Sequence, residues 1–70
     1  DLAVKRKDHG EVIRYATRYL RISPNRAPMR ITLGDAYFAK GENAKAKVQY
    51  TRAKQLGSSV ADSRLAKVGG

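Results

Sequence analysis

Side chains that catalyse reactions or bind metals are sparse and scattered in this sequence. The single histidine, His9, lies between Asp8 and Gly10, where a solvated imidazole is expected rather than a general base. The chain has no cysteine, which excludes thiol catalysis, disulfide bonds and thiolate metal sites. The carboxylates of Asp8, Glu11 and Glu42 fall at the beginnings of predicted helices, where the helix dipole favours negative charge. The sequence therefore predicts no catalytic residues, no metal site and no cofactor.

Arginine and lysine are the side chains best placed to recognise a ligand. The chain contains 15 Lys and Arg against 6 Asp and Glu, a formal net charge of +9. Such a balance predicts attraction to nucleic acid, acidic protein segments or an anionic membrane surface. Five of these cations recur at helical spacing and form a basic stripe, Arg14, Arg18, Arg21, Lys45 and Arg52. The basic stripe could bind an acidic partner or nucleic acid, or it could be a solvated face.

The tyrosines are a second feature that bears on nucleic-acid binding. Tyrosine interleaved with arginine can form a platform on which bases stack. Three of the four, Tyr19, Tyr37 and Tyr50, fall on predicted inward faces, whereas Tyr15 is expected to lie partly outside. The sequence therefore favours core filling over base stacking.

Length and composition limit the class of protein. Seventy residues, of which 41% are hydrophobic and 30% charged, are typical of one small globular domain with a thin core. No apolar run approaches the roughly 20 residues that a membrane-spanning helix needs. We expect a single soluble domain without a membrane span, and the composition does not indicate its compartment.

Helical periodicity dominates the chain. Glycine, proline and serine residues divide it into segments of helical length, and the apolar residues within each segment recur every three or four positions. Asn25, Asn43 and Ser59 are of the types that cap helix N-termini. The sequence predicts helices over 2–8, 10–22, 26–40, 43–56 and 60–67.

The chain also resembles itself when it is shifted by 34 positions. Ala16 and Tyr19 then correspond to Tyr50 and Ala53, so each copy has one small and one large residue a helical turn apart, in opposite order. Close packing between helices requires such pairing of small with large side chains. The shift therefore indicates two copies of one helical unit.

A 34-residue period carried by paired antiparallel helices resembles the tetratricopeptide repeat. The residues that carry the resemblance lie between Ala27 and Ser58: Leu33, Gly34, Tyr37, Gly41, Ala46, Tyr50 and Ala53. Gly34 would let two helices approach closely, and Gly41 would supply the tight turn between them. Two positions depart from the family pattern, since Ser58 stands where proline is usual and Arg30 where a large apolar residue is common.

The resemblance implies a fold class and its division along the chain. We expect an all-α antiparallel helix-pair repeat, an α-solenoid fragment of about one and a half repeats with a C-terminal capping helix. Residues 1–25 would form a partial first repeat, 26–58 a complete repeat, 59–68 the capping helix and 69–70 a tail. The alternative is a generic basic bundle of three or four helices that has no groove.

The sequence also predicts which residues are exposed at the two ends of the expected helix stack. On the capping helix, Asp62, Ser63, Arg64 and Lys67 are predicted to face water. At the other end the first repeat is incomplete, so the apolar side of Val12, Ala16 and Tyr19 is expected to lack part of its cover. This predicts self-association through the N-terminal helices at concentrations of about 100 μM or above.

The resemblance also implies where a ligand would bind. In such repeats the first helix of each pair lines a concave groove, so Ile31, Asp35 and Phe38 would face the ligand, with Asp1 and Val4 as their counterparts one period earlier. Family members that clamp a C-terminal carboxylate use Lys, Arg and Asn there, and this chain does not. We therefore expect an apolar or basic helix or extended peptide as the ligand, unless Asp35 is only a solvated helix residue.

Together these expectations describe a non-enzymatic protein–protein interaction module that serves as a scaffold or assembly factor. It would bind a peptide or helix of a partner protein in the concave groove. The alternative is a small basic helical module that binds nucleic acid through the basic stripe.

Overall fold

The computed structural model describes residues 8–68, which fold into four α-helices joined by short turns. The helices are α1 (His9–Ile22), α2 (Ala27–Ala39), α3 (Asn43–Gln55) and α4 (Val60–Lys67). Each helix packs against the next one along the chain, and no strand occurs in this part of the chain. The predicted all-α fold of adjacent packed helices is therefore confirmed.

The helix boundaries follow the periodicity of the apolar residues. The helices predicted over 10–22, 26–40, 43–56 and 60–67 all form, and each of their ends lies within one residue of the prediction. The helix predicted over 2–8 falls outside the described residues, apart from Asp8, which is the N-cap of α1. No helix within residues 8–68 combines the length and the apolar character needed to cross a membrane.

The N-caps differ from the predicted ones. Asp8 caps α1 through its side chain, whose Oδ1 accepts a hydrogen bond from the Glu11 backbone N–H at 3.2 Å. The other three described helices have no side-chain hydrogen bond at the N-cap. The caps predicted at Asn25 and Asn43 are therefore wrong by one residue, whereas Ser59 is the N-cap of α4 as predicted but makes no side-chain hydrogen bond there.

Two glycines end the central helices. Gly41 follows α2 with φ of +83°, and Gly57 follows α3 with φ of +97°, a region in which side chains other than glycine are strained. After α2, the Glu42 N–H donates to the Tyr37 carbonyl at 2.9 Å, which closes the helix end and reverses the chain. The reversal lets α3 run back along α2.

The core consists of two clusters of buried side chains on either side of α2. One cluster joins α2 to α3 and α4 through Ile31, Ala46, Tyr50, Ala53 and Ala61. The other joins α1 to α2 through Ala16, Leu20 and Leu33. Tyr37 packs partly buried against both clusters, so α2 is the central helix of the stack.

Helices α2 and α3 approach closely where Gly34 meets Tyr50. A Cβ atom at Gly34 would lie 2.5 Å from Cε1 of Tyr50, a distance that side-chain atoms cannot tolerate. The close contact predicted for Gly34 is therefore confirmed, and Tyr50 fills the space that the missing side chain leaves.

Candidate functional site

One narrow face of α2 remains exposed between the helices that pack against it. We call it the α2 face, and it consists of Thr32, Asp35, Phe38 and Ala39. The Phe38 side chain is 38% exposed, whereas the Thr32 hydroxyl donates to the Pro28 carbonyl at 3.1 Å. The α2 face therefore presents an aromatic ring beside one carboxylate.

Ile31 does not belong to this face, contrary to the predicted groove. It is only 8% exposed and packs with Ala46 and Tyr50 in the core cluster of α2, α3 and α4. Its position on α2 faces the junction with α3, so its side chain stabilises the fold and leaves little surface for a ligand. The other predicted groove residues, Asp1 and Val4, lie outside the described residues.

Asp35 holds three helices together. The Tyr50 hydroxyl on α3 donates a hydrogen bond to Asp35 Oδ1 at 2.5 Å. From α4, Arg64 Nε donates to the same oxygen at 2.8 Å, and Arg64 Nη2 reaches Asp35 Oδ2 at 3.4 Å. Asp35 is therefore neither a free groove acid nor a merely solvated residue, because its carboxylate already has an aromatic and a cationic partner.

This junction changes the acid–base properties of its partners. Burial raises the pKa of the Tyr50 hydroxyl, and the hydrogen bond to Asp35 raises it further. The hydrogen bond to Asp35 also raises the pKa of the Arg64 guanidinium. The prediction that Arg64 faces water is wrong, because its side chain is half-buried and paired with Asp35.

The basic stripe is exposed along its whole length, but its members differ in their partners. Lys45 Nζ lies 3.0 Å from Glu42 and 5.7 Å from the centre of the Tyr37 ring, and the hydrogen bond to Glu42 raises the Lys45 pKa. Arg14 makes only a loose contact of 3.8 Å with Glu11. Within residues 8–68 the remaining members, Arg18, Arg21 and Arg52, have no carboxylate partner.

Potential catalytic or metal-binding groups are not brought together in the described part of the chain. Among residues 8–68, no three His, Asp or Glu side chains converge on a point where a metal ion could lie. His9 is the first residue of α1 and directly follows the N-cap, Asp8. The carboxylates of Glu11, Glu42 and Asp62 each lie beside a lysine or arginine.

Sequence reasoning missed the role of Arg30. Its Nη1 donates to Gln49 Oε1 on α3 at 3.0 Å, and its Nη2 donates to the Pro24 carbonyl at 3.2 Å. Arg30 thus links the turn before α2 to the outer side of α3. The available signal was its departure from the apolar residue common at that position. Arg64 offered no comparable signal, because its partner depends on how α4 approaches α2.

Comparison with known proteins adds no family to this description. A scan against protein-family models, a search of the curated proteins and a search of the solved structures each find no match to this chain. The tetratricopeptide resemblance therefore stays a prediction from the sequence, and the functional argument rests on the side chains described above.

Proposed function

We propose that this chain is a non-enzymatic interaction module of the tetratricopeptide type, a scaffold that binds a peptide or helix of a partner protein on the α2 face. One observation carries the proposal: α2 is packed by α1 and α3 and still presents the exposed Phe38 ring between its neighbours. A helix that is held on two sides offers a rigid platform, so little ordering is needed when a partner binds.

The packing of α2 against α3 supports the repeat type. Gly34, Tyr50 and Gly41 carry the resemblance in the sequence, and each has a distinct structural task. Gly34 and Tyr50 form a close contact between α2 and α3, and Gly41 adopts the positive φ of the turn. A bundle in which these residues were placed by accident would not need them at those points.

The chemistry of the α2 face favours an apolar ligand. Arg64 already offsets the Asp35 charge, so the face has no free carboxylate that would demand a cationic partner. Phe38 and Ala39 supply exposed apolar surface beside this ion pair. We therefore propose that an apolar side chain of the partner packs on Phe38, as aromatic anchors commonly do in interfaces.

Peptide selection tests the proposal and does not require the partner to be identified. Random peptides displayed on phage are selected on the immobilised chain, and the enriched peptides are measured by isothermal titration. We expect Phe38→Ala to weaken their binding by about tenfold or more. The matched control is Val48→Ala, which shortens an exposed apolar residue on α3 outside the α2 face.

The two variants also separate binding from folding. Because Phe38 and Val48 are both exposed, both variants should keep the helical circular dichroism of the parent chain. Enriched peptides that bind the Phe38 variant as tightly as the parent would refute the assignment to the α2 face. Failure to enrich any peptide would count against a peptide-binding module altogether.

A further inference from the structure

The outer surface of α1, α2 and α3 is indented rather than smooth. Three shallow depressions follow one another along it: Thr17 lines the first and second, and Arg30 lines the second and third. We call this surface the outer furrow. It shares no residue with the α2 face, because α2 turns Arg30, Leu33 and Tyr37 towards it.

The rim of the outer furrow is arginine-rich. Arg14 and Arg18 line its first depression, Arg21 and Arg30 the second, and Arg30 and Arg52 the third. The described residues that line it include no aspartate or glutamate. Like-charged side chains clustered on one surface create a positive potential that attracts a ligand of the opposite charge.

Arg30 places a fixed positive charge at the centre of the outer furrow. Its two Nη atoms bond neutral acceptors, the Gln49 side-chain oxygen and the Pro24 carbonyl. Its Nε is buried and has no hydrogen-bond acceptor within the described residues. These contacts hold the guanidinium in position without neutralising it, so an incoming carboxylate would meet a cation that is already ordered.

The floor of the outer furrow has two apolar side chains that a ligand can reach. Tyr37 in the second depression is half-buried and Leu56 in the third is 38% exposed, whereas Leu20 and Leu33 beneath the second depression are buried. A ligand with only charged side chains would leave these apolar side chains in contact with water. A ligand that carries both carboxylates and apolar side chains would match the rim and the floor together.

Nucleic acid fits the outer furrow less well. Binding of single strands relies on exposed aromatic rings on which bases stack. The exposed tyrosine, Tyr15, does not line the furrow, and it follows Arg14 on α1 at a rotation of about 100° around the helix axis. Tyr37 does line it, but that ring is half-buried in the core and is covered at one side by Lys45.

We propose that the outer furrow binds an acidic protein segment that carries apolar side chains. Its carboxylates pair with Arg18, Arg21 and Arg52 at the rim and with Arg30 at the centre. Its apolar side chains lie on Tyr37 and Leu56. This site is independent of the α2 face, so the module would hold two partners, or two parts of one partner, on separate surfaces.

Fluorescence anisotropy with three labelled probes tests the ligand class. The probes are a short peptide of repeated Asp-Glu-Leu, a peptide of repeated Asp-Glu-Gly with the same charge, and oligodeoxythymidylate of the same charge. At physiological ionic strength we expect the leucine peptide to bind about tenfold tighter than the glycine peptide, because only leucine covers the apolar floor. Equal binding of the two peptides would overturn the proposed apolar contact.

Paired charge variants test the location. The double variant Arg21→Gln with Arg52→Gln removes two rim arginines and should lower the affinity for the leucine peptide by about tenfold or more. The control, Lys47→Gln with Lys67→Gln, removes the same charge from exposed lysines that do not line the furrow, and we expect a change of about twofold at most. Equal losses in both double variants would show attraction by net charge alone and overturn the site.

The oligonucleotide separates the two macromolecular classes. Tighter binding of oligodeoxythymidylate than of the leucine peptide, lost in the arginine double variant, would assign the furrow to nucleic acid and overturn the proposal. Phe38→Ala should leave furrow binding unchanged. Weaker binding of the leucine peptide to the Phe38→Ala variant would show that the two surfaces are not independent. Failure of the α2 face to select peptides would leave the result for the furrow unaffected.

Discussion

The helices α1 and α3 stand at equivalent points of the 34-residue spacing, yet they are covered differently. Helix α3 packs against α2 on one side and α4 on the other, and its Tyr50 is only 1% exposed. Within the described residues α1 packs against α2 alone, and its Tyr15 and Ile22 are 64% and 86% exposed. At equivalent positions, Ala16 and Tyr50 are both buried, whereas Ile22 is 86% exposed and Leu56 is 38% exposed. Among the described residues, the same kind of helix is thus covered on two sides at α3 and on one side at α1.

The difference shows what a neighbouring helix supplies. Beside α3, α4 contributes the buried Ala61 and the Arg64 side chain that completes the Asp35 junction. Beside α1, the described residues provide no equivalent cover for Tyr15. In a stack of helices each exposed apolar face needs a neighbour, so the position in the stack, rather than helix composition alone, determines the degree of burial.

The largest expected loss of stability comes from truncating Tyr50 on α3, and the same truncation at Tyr15 on α1 serves as the comparison. Tyr50→Ala should lower the free energy of unfolding by about 3–5 kcal/mol, because it leaves a cavity between α2 and α3. Tyr15→Ala should change it by about 0.5 kcal/mol or less, because the ring is mostly in water. Urea denaturation followed by circular dichroism measures both, and similar losses would contradict the difference in cover. If Tyr50→Ala has no folded baseline, its loss of helicity at low temperature already gives the same ranking.

A smaller effect is expected from the glycine at the α2–α3 contact. Gly34→Ala should destabilise the fold by about 1–3 kcal/mol, because the new methyl group would overlap the Tyr50 ring. Gly10→Ala on α1 is the control, since its Cβ would come no closer than 3.5 Å to Asp8 and alanine favours helix. Thermal melts of the two variants should shift in opposite directions. A melting temperature of Gly34→Ala equal to or above that of the parent chain would contradict the close contact between Gly34 and Tyr50.

The Asp35 junction gives an effect that depends on pH. Tyr50→Phe removes one hydrogen bond to a charged acceptor and should cost about 1–2 kcal/mol at pH 7. The folded-state pKa of Tyr50 lies above its unfolded value of about 10, so the hydroxyl contributes stability below pH 10 and loses it as pH rises further. The parent and Tyr50→Phe should therefore converge above about pH 10 in urea titrations. A constant difference up to pH 11 would argue that burial does not alter this hydroxyl.

The smallest effect is expected at α1, where the predicted apolar edge is wrong in part, because Ala16 is buried and the exposed apolar side chains are Tyr15 and Ile22. We propose that exposed Tyr15 and Ile22 pair with those of a second copy, giving a dimer detectable near about 100 μM. Sedimentation equilibrium should show a monomer–dimer equilibrium that Tyr15→Ser with Ile22→Ser abolishes. Substituting Val48→Ser on α3 should leave it intact. An ideal monomer at millimolar concentration would contradict this use of the edge.

The sequence predicts the local features and misses the ones that depend on how helices meet. Apolar spacing placed the four helices, and the resemblance to the tetratricopeptide repeat predicted the close helix approach at Gly34. Ile31 shares its side of α2 with Phe38 in the periodic pattern, so only the approach of α3 and α4 distinguishes the buried residue from the exposed one. Arg64 looks like a surface residue until α4 is set against Asp35.

Residue-resolved hydrogen exchange tests most directly the claim that α3 is better covered than α1 among the described residues. The measurement is made by NMR on dilute protein, so that association does not protect the edge. Amides in the middle of α3, around Tyr50 and Ala53, should exchange only through global unfolding. Amides in α1 around Tyr15 and Arg18 should exchange faster through local opening, because α1 is packed on one side among the described residues. Equal protection of α1 and α3 would contradict the account.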